Sequence, residues 1–242
     1  MSKILLASLI FFAGTAFANI SNDIRDFRID LIAHPERPLV SGRISLKEAY
    51  LLSVILLTMI FTPAYILGYK VLIFTSCLFF LTLAYNLVLK KFHIYGNIAV
   101  ALISSATFFI GGVLTGNYGP LFFPFLLSYV FQLYREILKD IHDMDGDSLG
   151  GYRTLPLIIG RKLSIILSRF LLGLLVFLTL IPYWIGIYNR VYLYITLLFV
   201  DIPIILIGMR IRDGLDNREL KRYLDTIKIP IFFVLLAIYL GG

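Results

Sequence analysis

Acidic side chains that could hold a divalent metal ion occur in two groups in this sequence. Most members of a group are three or four residues apart, so at about 100° per residue they share one face of a helix. The candidate ligands are Asn22, Asp23, Asp26 and Asp30 in the first group and Asp140, Asp143 and Asp147 in the second. Mg²⁺ prefers such oxygen ligands together with substrate phosphates, whereas Zn²⁺ favours His and Cys. The two groups therefore predict magnesium held on a diphosphate.

Four of these acids are predicted to be indispensable for catalysis, namely Asp26, Asp30, Asp143 and Asp147. Ionisable residues close to a membrane interior are costly and usually functional. The alternative is that the acids are solvated loop charges paired with nearby basic residues, but two one-faced groups at equivalent positions favour the functional interpretation. His142 lies within the second group at about 200° from Asp140 on a helical wheel, so we expect its ring to point away from the acids.

The elements that must position these acids are long apolar segments. Of the 242 residues, 59% are hydrophobic and 15% are charged, whereas a soluble domain carries about 25% charged residues. Runs of about 17–25 apolar residues can span a bilayer as helices. We predict eight spans, at 4–20, 47–67, 70–89, 96–114, 120–138, 163–187, 191–209 and 224–241. This pattern predicts an all-α polytopic transmembrane helical bundle that forms one integral-membrane domain over residues 1–242.

Positive charge is concentrated on one side of these segments. When successive connections are assigned to alternate sides, 19 of the 22 lysines and arginines fall on the side that also carries both acidic groups. The positive-inside rule places this side in the cytoplasm. Two long connections there, roughly 21–46 and 140–162, predict cap loops over a central cavity. We therefore expect a multi-pass protein of the cell membrane with a cytoplasmic active-site face and no nucleic-acid partner.

The first apolar segment allows a second interpretation. Lys3, the apolar stretch after it and the small residues of Ala16-Phe17-Ala18 have the order of a secretory signal with a cleavage site. Cleavage after Ala18 would remove the helix that positions Asn22, so we favour a retained membrane span. The single cysteine, Cys77, excludes a disulfide within the chain.

Basic and polar residues near the acids are candidates for substrate binding. Negative charge that develops on a leaving diphosphate needs cations close to its oxygens. The predicted diphosphate-binding residues are Arg37, Lys90, Lys91, Lys139 and Arg153. The predicted acceptor-binding residues are Arg43, Tyr85 and Asn86. The alternatives are that the basic side chains only set the membrane orientation, and that Tyr85 and Asn86 are an interface aromatic and a helix–helix polar contact.

These motifs resemble those of the UbiA superfamily of intramembrane prenyltransferases. The resemblance covers nearly the whole chain and rests on N-D-I-R-D-F-R-I-D at 22–30, R-P-L-V-S-G-R-I-S at 37–45, A-Y-N-L-V-L-K-K at 84–91, R-E-I-L-K-D-I-H-D-M-D-G-D at 135–147 and G-Y-R-T-L-P at 151–156. Within the superfamily the motifs are most similar to those of archaeal digeranylgeranylglyceryl phosphate synthases. The family bundle has nine helices, with the first motif on the second. Here that motif follows the first segment, so we expect eight helices, with the counterpart of the family's first helix missing. Either the start of the sequence is truncated or misassigned, or the chain is a shortened member of the family.

The resemblance implies a specific reaction. It is the Mg²⁺-dependent transfer of a geranylgeranyl group from geranylgeranyl diphosphate to the glycerol hydroxyl of geranylgeranylglyceryl phosphate, a lipid-phosphate acceptor. The product carries the second ether bond of archaeal membrane lipids. One alternative is prenylation of an aromatic quinone precursor by an enzyme of the same superfamily. Another is a membrane transporter, which is disfavoured because the acids gather at one interface rather than at the midplane.

Overall fold

Helices that are long enough to cross a membrane dominate this chain. The computed structural model describes residues 2–89 and 93–242, and this described part contains helices and no strands. Within it, eight segments are long and apolar enough to span a bilayer. The all-α polytopic architecture and the number of spans predicted from the hydropathy pattern are therefore confirmed.

The helices are numbered in chain order. They are α1 (Ser2–Ala33), α2 (Leu46–Leu67), α3 (Tyr69–Leu87), α4 (His93–Ala106), α5 (Ile110–Thr115), α6 (Phe122–Leu149), α7 (Leu155–Ile159), α8 (Arg161–Trp184), α9 (Arg190–Thr196), α10 (Ile202–Arg210), α11 (Asn217–Thr226) and α12 (Ile229–Gly241). A 3₁₀ turn joins α4 to α5, and a π-helical turn at Leu197–Asp201 joins α9 to α10, so each of these pairs forms one span.

The chain divides into two compact units, which are described separately. Unit 1 comprises Met1–Phe125 and Asp145–Arg153, and unit 2 comprises Leu126–Met144 and Thr154–Gly242. That residues 1–242 form a single domain stays a prediction.

The core of unit 1 includes the first apolar segment. Ala13 and Phe17 of α1 are buried in one cluster with Leu56 and Ile60 of α2. Small side chains such as Ala13 allow two helices to approach closely in a membrane protein. The segment thus packs as a helix of unit 1.

Both helices that carry the acidic groups extend further than their apolar runs. α1 continues to Ala33 and α6 continues to Leu149. Helical hydrogen bonding persists there because the acids alternate with apolar residues on other faces, such as Phe27 and Ile141. The connections are therefore shorter than the predicted 21–46 and 140–162, and the acids lie on helices, as their spacing predicts.

Unit 2 has its own core, built mainly on α6, α8 and α10. Ile137 and Ile141 of α6 are buried with Leu172 of α8 and Ile204 of α10. Two α8 arginines fix the connection after α10. The Arg161 Nη2 donates to the Leu215 carbonyl over 2.6 Å, and the Arg169 Nη2 donates to the Ile211 carbonyl over 2.9 Å.

One buried acid of unit 2 is separate from both acidic groups. Asp201 is 2% exposed at the end of the π-helical turn. Its two carboxyl oxygens lie 3.1 and 3.0 Å from the Thr179 hydroxyl, and that hydroxyl also donates to the Val176 carbonyl over 2.7 Å. The carboxyl group thus joins the π-helical turn to α8.

We expect Asp201→Asn to preserve this connection and Asp201→Ala to lose it. An Asn amide can still hydrogen-bond the Thr179 hydroxyl, whereas Ala leaves that hydroxyl with its Val176 contact alone. The lost hydrogen bond costs about 0.5–1.5 kcal/mol. For a chain of this size each kcal/mol lowers Tm by about 2–4 °C. Thermal unfolding in detergent measures the difference, and equal Tm losses for the Asn and Ala variants would contradict this role.

Candidate active site

The two acids predicted to be essential in the first group lie buried on α1. Asp26 is 5% exposed and Asp30 is 3% exposed, while Asn22 and Asp23 are partly buried. Since Asp26 and Asp30 are four residues apart, their side chains are neighbours along one helix face. The structure therefore gathers the first group as its spacing predicts.

Arg37 reaches back from the connection after α1 to two of these acids. Its Nη1 atom lies 2.7 Å from Asp30 Oδ2 and 3.1 Å from Asp23 Oδ1. The predicted diphosphate ligand Arg37 is thus next to the first acidic group. Such charge-assisted hydrogen bonds are strong, and they neutralise a carboxylate that would otherwise be costly to bury.

The connection that carries Arg37 is ordered by its own hydrogen bonds. The Ser41 amide donates to the Arg37 carbonyl over 2.8 Å, and the Arg43 Nη2 donates to the Glu36 carbonyl over 2.8 Å. Ser45 then caps α2 in a capping box with Glu48. Arg43, a predicted acceptor-binding residue, is exposed and contacts its own loop.

The chain turns sharply after α6. The Gly151 φ angle is +66°, and the Tyr152 amide donates to the Asp147 carbonyl over 2.9 Å. A Cβ atom at Gly150 would lie 2.9 Å from Cδ1 of Ile29 on α1, closer than side chains normally approach. The two glycines therefore allow this turn to pack directly against the helix that carries the first acidic group.

Tyr152 contacts the first group from this turn. Its side chain is buried, and its hydroxyl donates to Asp26 Oδ1 over 2.9 Å. Burial raises the pKa of Tyr152, and the charge and hydrogen bond of Asp26 raise this pKa further. The charge of Asp147 acts in the same direction, whereas that of Arg25 lowers the pKa. The hydroxyl therefore keeps its proton and acts as a donor.

Tyr152 was not predicted as a site residue. Its role depends on a contact between positions 126 residues apart in the chain, and no helical spacing indicates such a contact. The signal available in the sequence is the Gly150-Gly151 pair shortly after the second acidic group. Paired glycines mark a turn, and a turn at this place reverses the chain so that the following residue can contact a neighbouring helix.

The second acidic group is divided between the units. Asp147 belongs to unit 1 with Tyr152, whereas Asp140 and Asp143 belong to unit 2. The His142 Nδ1 lies 2.6 Å from Asp143 Oδ1. The expectation that His142 points away from the acids is therefore wrong. Helical-wheel angles describe Cβ directions, and the His142 ring extends far enough to reach its neighbour.

The remaining predicted binding residues have varied surroundings. Lys139 is 3.7 Å from Glu136 Oε2, and Arg153 is exposed directly after Tyr152. The Asn86 Nδ2 donates to the Ser21 hydroxyl over 3.0 Å, so it forms a helix–helix polar contact beside the first acidic group. Tyr85 is partly buried, and Lys90 and Lys91 lie outside the described residues.

The donor set of the first group is suitable for magnesium. Among the described residues, no three His, Cys, Asp or Glu side chains form a preassembled metal site. Mg²⁺ does not require one, since it usually binds through one or two carboxylates, several waters and substrate phosphates. The Arg37 guanidinium also shows that this position accepts positive charge beside Asp23 and Asp30.

The sequence is similar to known proteins along nearly its whole length. The model of the UbiA prenyltransferase family matches residues 1–236. The digeranylgeranylglyceryl phosphate synthase of Methanococcus maripaludis (strain C6) is 33% identical over 100% of this chain and 86% of the relative. The synthase of the same name from Pyrococcus furiosus is 30% identical over 96% of this chain and 82% of the relative.

Solved structures share the architecture. A structure described as digeranylgeranylglyceryl phosphate synthase in membranes gives a TM-score of 0.73 at 33% identity, over 99% of this chain and 85% of that one. A UbiA homologue from Aeropyrum pernix K1 gives a TM-score of 0.83 at 19% identity, over 99% of this chain and 90% of that one. A UbiA homologue from Archaeoglobus fulgidus bound to GPP and Mg²⁺ gives a TM-score of 0.73 at 19% identity, over 99% of this chain and 88% of that one.

Proposed function

This chain belongs to the UbiA prenyltransferase family, and we propose that it transfers a geranylgeranyl group from geranylgeranyl diphosphate to the glycerol hydroxyl of geranylgeranylglyceryl phosphate. It is thus a multi-pass membrane enzyme. Relatives named digeranylgeranylglyceryl phosphate synthase, at 30–33% identity over nearly the full chain, support this choice. The product would carry the second ether bond of an archaeal membrane lipid.

The observation that carries the proposal is the pair of buried carboxylates on α1. Asp26 and Asp30 are nearly inaccessible to solvent at the end of an apolar helix. Burying two neighbouring carboxylates is unfavourable unless cations or hydrogen-bond donors compensate them. Arg37 and Tyr152 provide part of this compensation. A magnesium diphosphate is the ligand whose chemistry uses such carboxylates directly.

Each acid then has a definite role in the proposed reaction. Asp26 and Asp30, with Asn22 and Asp23, would hold Mg²⁺ on the diphosphate, and Asp140, Asp143 and Asp147 would do the same from α6. When bound, the metal supplies positive charge that stabilises the departing diphosphate. Arg37, Lys139 and Arg153, together with Lys90 and Lys91, are the proposed cationic ligands of the diphosphate oxygens.

The bond changes follow from this arrangement. The allylic carbon–oxygen bond breaks and its electron pair leaves with the diphosphate. The acceptor hydroxyl oxygen then forms the ether bond to that carbon. Its proton passes to a carboxylate or to the diphosphate. Arg43, Tyr85 and Asn86 are the proposed acceptor-binding residues.

The proposed active-site face is cytoplasmic. The concentration of Lys and Arg on the side that carries both acidic groups supports this orientation.

A transfer assay with several acceptors tests the substrates. Purified enzyme is incubated with Mg²⁺, radiolabelled geranylgeranyl diphosphate and one acceptor at a time. The acceptors are geranylgeranylglyceryl phosphate, its dephosphorylated form, a hydroxybenzoate and a naphthoate. We expect label to enter only the phosphorylated glyceryl ether. Efficient labelling of an aromatic acceptor would instead support a quinone-precursor prenyltransferase. Ion flux in liposomes without consumption of the prenyl diphosphate would support a transporter.

A further inference from the structure

We infer that Tyr152 is a positioning residue, which orients the Asp26 carboxylate for magnesium binding through the hydrogen bond from its hydroxyl. This inference rests on the proposed function, because it concerns the same acidic group. It adds a residue to the site that neither the acidic motifs nor the predicted cationic ligands include.

The hydrogen bond between Tyr152 and Asp26 joins two buried side chains. The hydroxyl lies 2.9 Å from Asp26 Oδ1, and both side chains are buried, with Tyr152 8% exposed and Asp26 5% exposed. A buried hydrogen bond to a charged acceptor is stronger than one in water and fixes the rotation of the carboxylate plane. It engages Oδ1 specifically, so it sets the direction in which Oδ2 points.

Backbone hydrogen bonds hold the segment that presents the tyrosine. The Tyr152 amide is tied to the Asp147 carbonyl, and the Gly150 and Gly151 amides are tied to carbonyls at the end of α6. Gly150 lies so close to Ile29 that a Cβ atom there would force the Ile29 side chain to move. The tyrosine is therefore held by backbone contacts on α6 and by direct packing on α1, and it does not depend on a flexible loop.

The contact between Tyr152 and Asp26 bears directly on metal binding. Groups that hydrogen-bond a metal-ligating side chain fix its orientation, and losing one typically weakens metal affinity or activity by about 10–100-fold. Tyr152 has this relation to Asp26, and the segment that presents it also carries Asp147 of the second acidic group. One short turn thus connects acids from both sequence motifs within unit 1.

The test compares Tyr152→Phe with Tyr192→Phe in the full-length protein. Both variants lose a buried hydroxyl that donates over 2.9 Å, but the Tyr192 hydroxyl donates to the Thr179 backbone carbonyl in unit 2. Mn²⁺ binding is measured by electron paramagnetic resonance in the presence of a non-hydrolysable prenyl diphosphate analogue. We expect Mn²⁺ affinity to fall about 10–100-fold for Tyr152→Phe and to stay unchanged for Tyr192→Phe.

A double-mutant cycle separates positioning from a general structural role. If Tyr152 acts through Asp26, adding Tyr152→Phe to Asp26→Ala, which has no acceptor for the hydroxyl, should change Mn²⁺ affinity and Tm less than it does in the wild-type background. Equal effects in both backgrounds would overturn the inference, as would wild-type Mn²⁺ affinity in Tyr152→Phe. If the wild-type protein transfers prenyl groups but Tyr152→Phe keeps wild-type Mn²⁺ affinity, the inference about Tyr152 fails and the proposed function survives. If the wild-type protein binds no Mn²⁺ with the analogue, both fail.

Discussion

Asp26→Asn should lower the rate of prenyl transfer at saturating Mg²⁺ by more than about 100-fold, beyond the usual effect of losing a residue that merely supports a metal ligand. The amide keeps the size of the side chain and can still accept the Tyr152 hydrogen bond at Asp26 Oδ1. It removes the negative charge that a magnesium diphosphate requires. The fold is therefore expected to survive while the chemistry fails.

The measurement is single-turnover transfer from radiolabelled geranylgeranyl diphosphate over a range of Mg²⁺ concentrations. Asp225→Asn is the matched control, because Asp225 is exposed, lies outside both acidic groups and pairs with Lys228 over 2.7 Å. Asp143→Asn should behave like Asp26→Asn. If Asp26→Asn and Asp143→Asn each retain near wild-type transfer at saturating Mg²⁺, the proposed mechanism is wrong.

The helical part of the site could be predicted from the sequence because its signals are local. A helix repeats every 3.6 residues, so the spacing of Asp26 and Asp30 alone indicates a shared face. Hydropathy similarly predicts the spans, because each must supply enough apolar residues to cross the bilayer. The helix ends were less predictable. α1 continues to Ala33, since amphipathic turns stay helical after the apolar run has ended.

The contacts that complete the site are not local, and the sequence could not specify them. Tyr152 reaches Asp26 because Gly151 adopts a left-handed conformation and Gly150 fits against Ile29. A sequence pattern marks a turn at the glycines but not the helix on which it packs. His142 shows the same limit at short range, because a wheel angle does not determine where a ring of that length ends.

The structure brings Arg37, which the sequence predicts as a diphosphate ligand, into contact with the first acidic group. It was predicted as a diphosphate ligand from its charge and position, and the structure places it on Asp23 and Asp30. The side chain of Asp30 is 4% exposed and that of Arg37 is 28% exposed, so the arginine covers the acid from the solvent side. A guanidinium at the outer edge of buried carboxylates is well placed to meet an anionic substrate.

Arg37→Gln should therefore have two separate effects. It removes a fixed cation from the proposed diphosphate site, so we expect kcat/KM for the prenyl diphosphate to fall by about 100-fold. It also leaves Asp30 buried without its counterion, so the ligand-free protein should unfold at a lower temperature. Added Mg²⁺ should raise Tm more in Arg37→Gln than in the wild-type protein, because the metal then replaces the missing charge.

Arg37→Lys and Arg28→Gln complete this experiment. Lys keeps the charge but replaces the planar guanidinium, whose Nη1 contacts both Asp23 and Asp30, with a compact ammonium, so an intermediate kcat/KM is expected. Arg28 is exposed on α1, and its replacement by Gln removes the same charge without removing a contact to a buried acid. If Arg37→Gln matches Arg28→Gln in kcat/KM and in the Mg²⁺-dependent gain of Tm, Arg37 is only a surface charge. If kcat/KM falls in Arg37→Gln but not in Arg28→Gln, and Arg37→Lys restores part of it, the guanidinium beside Asp30 acts on the substrate.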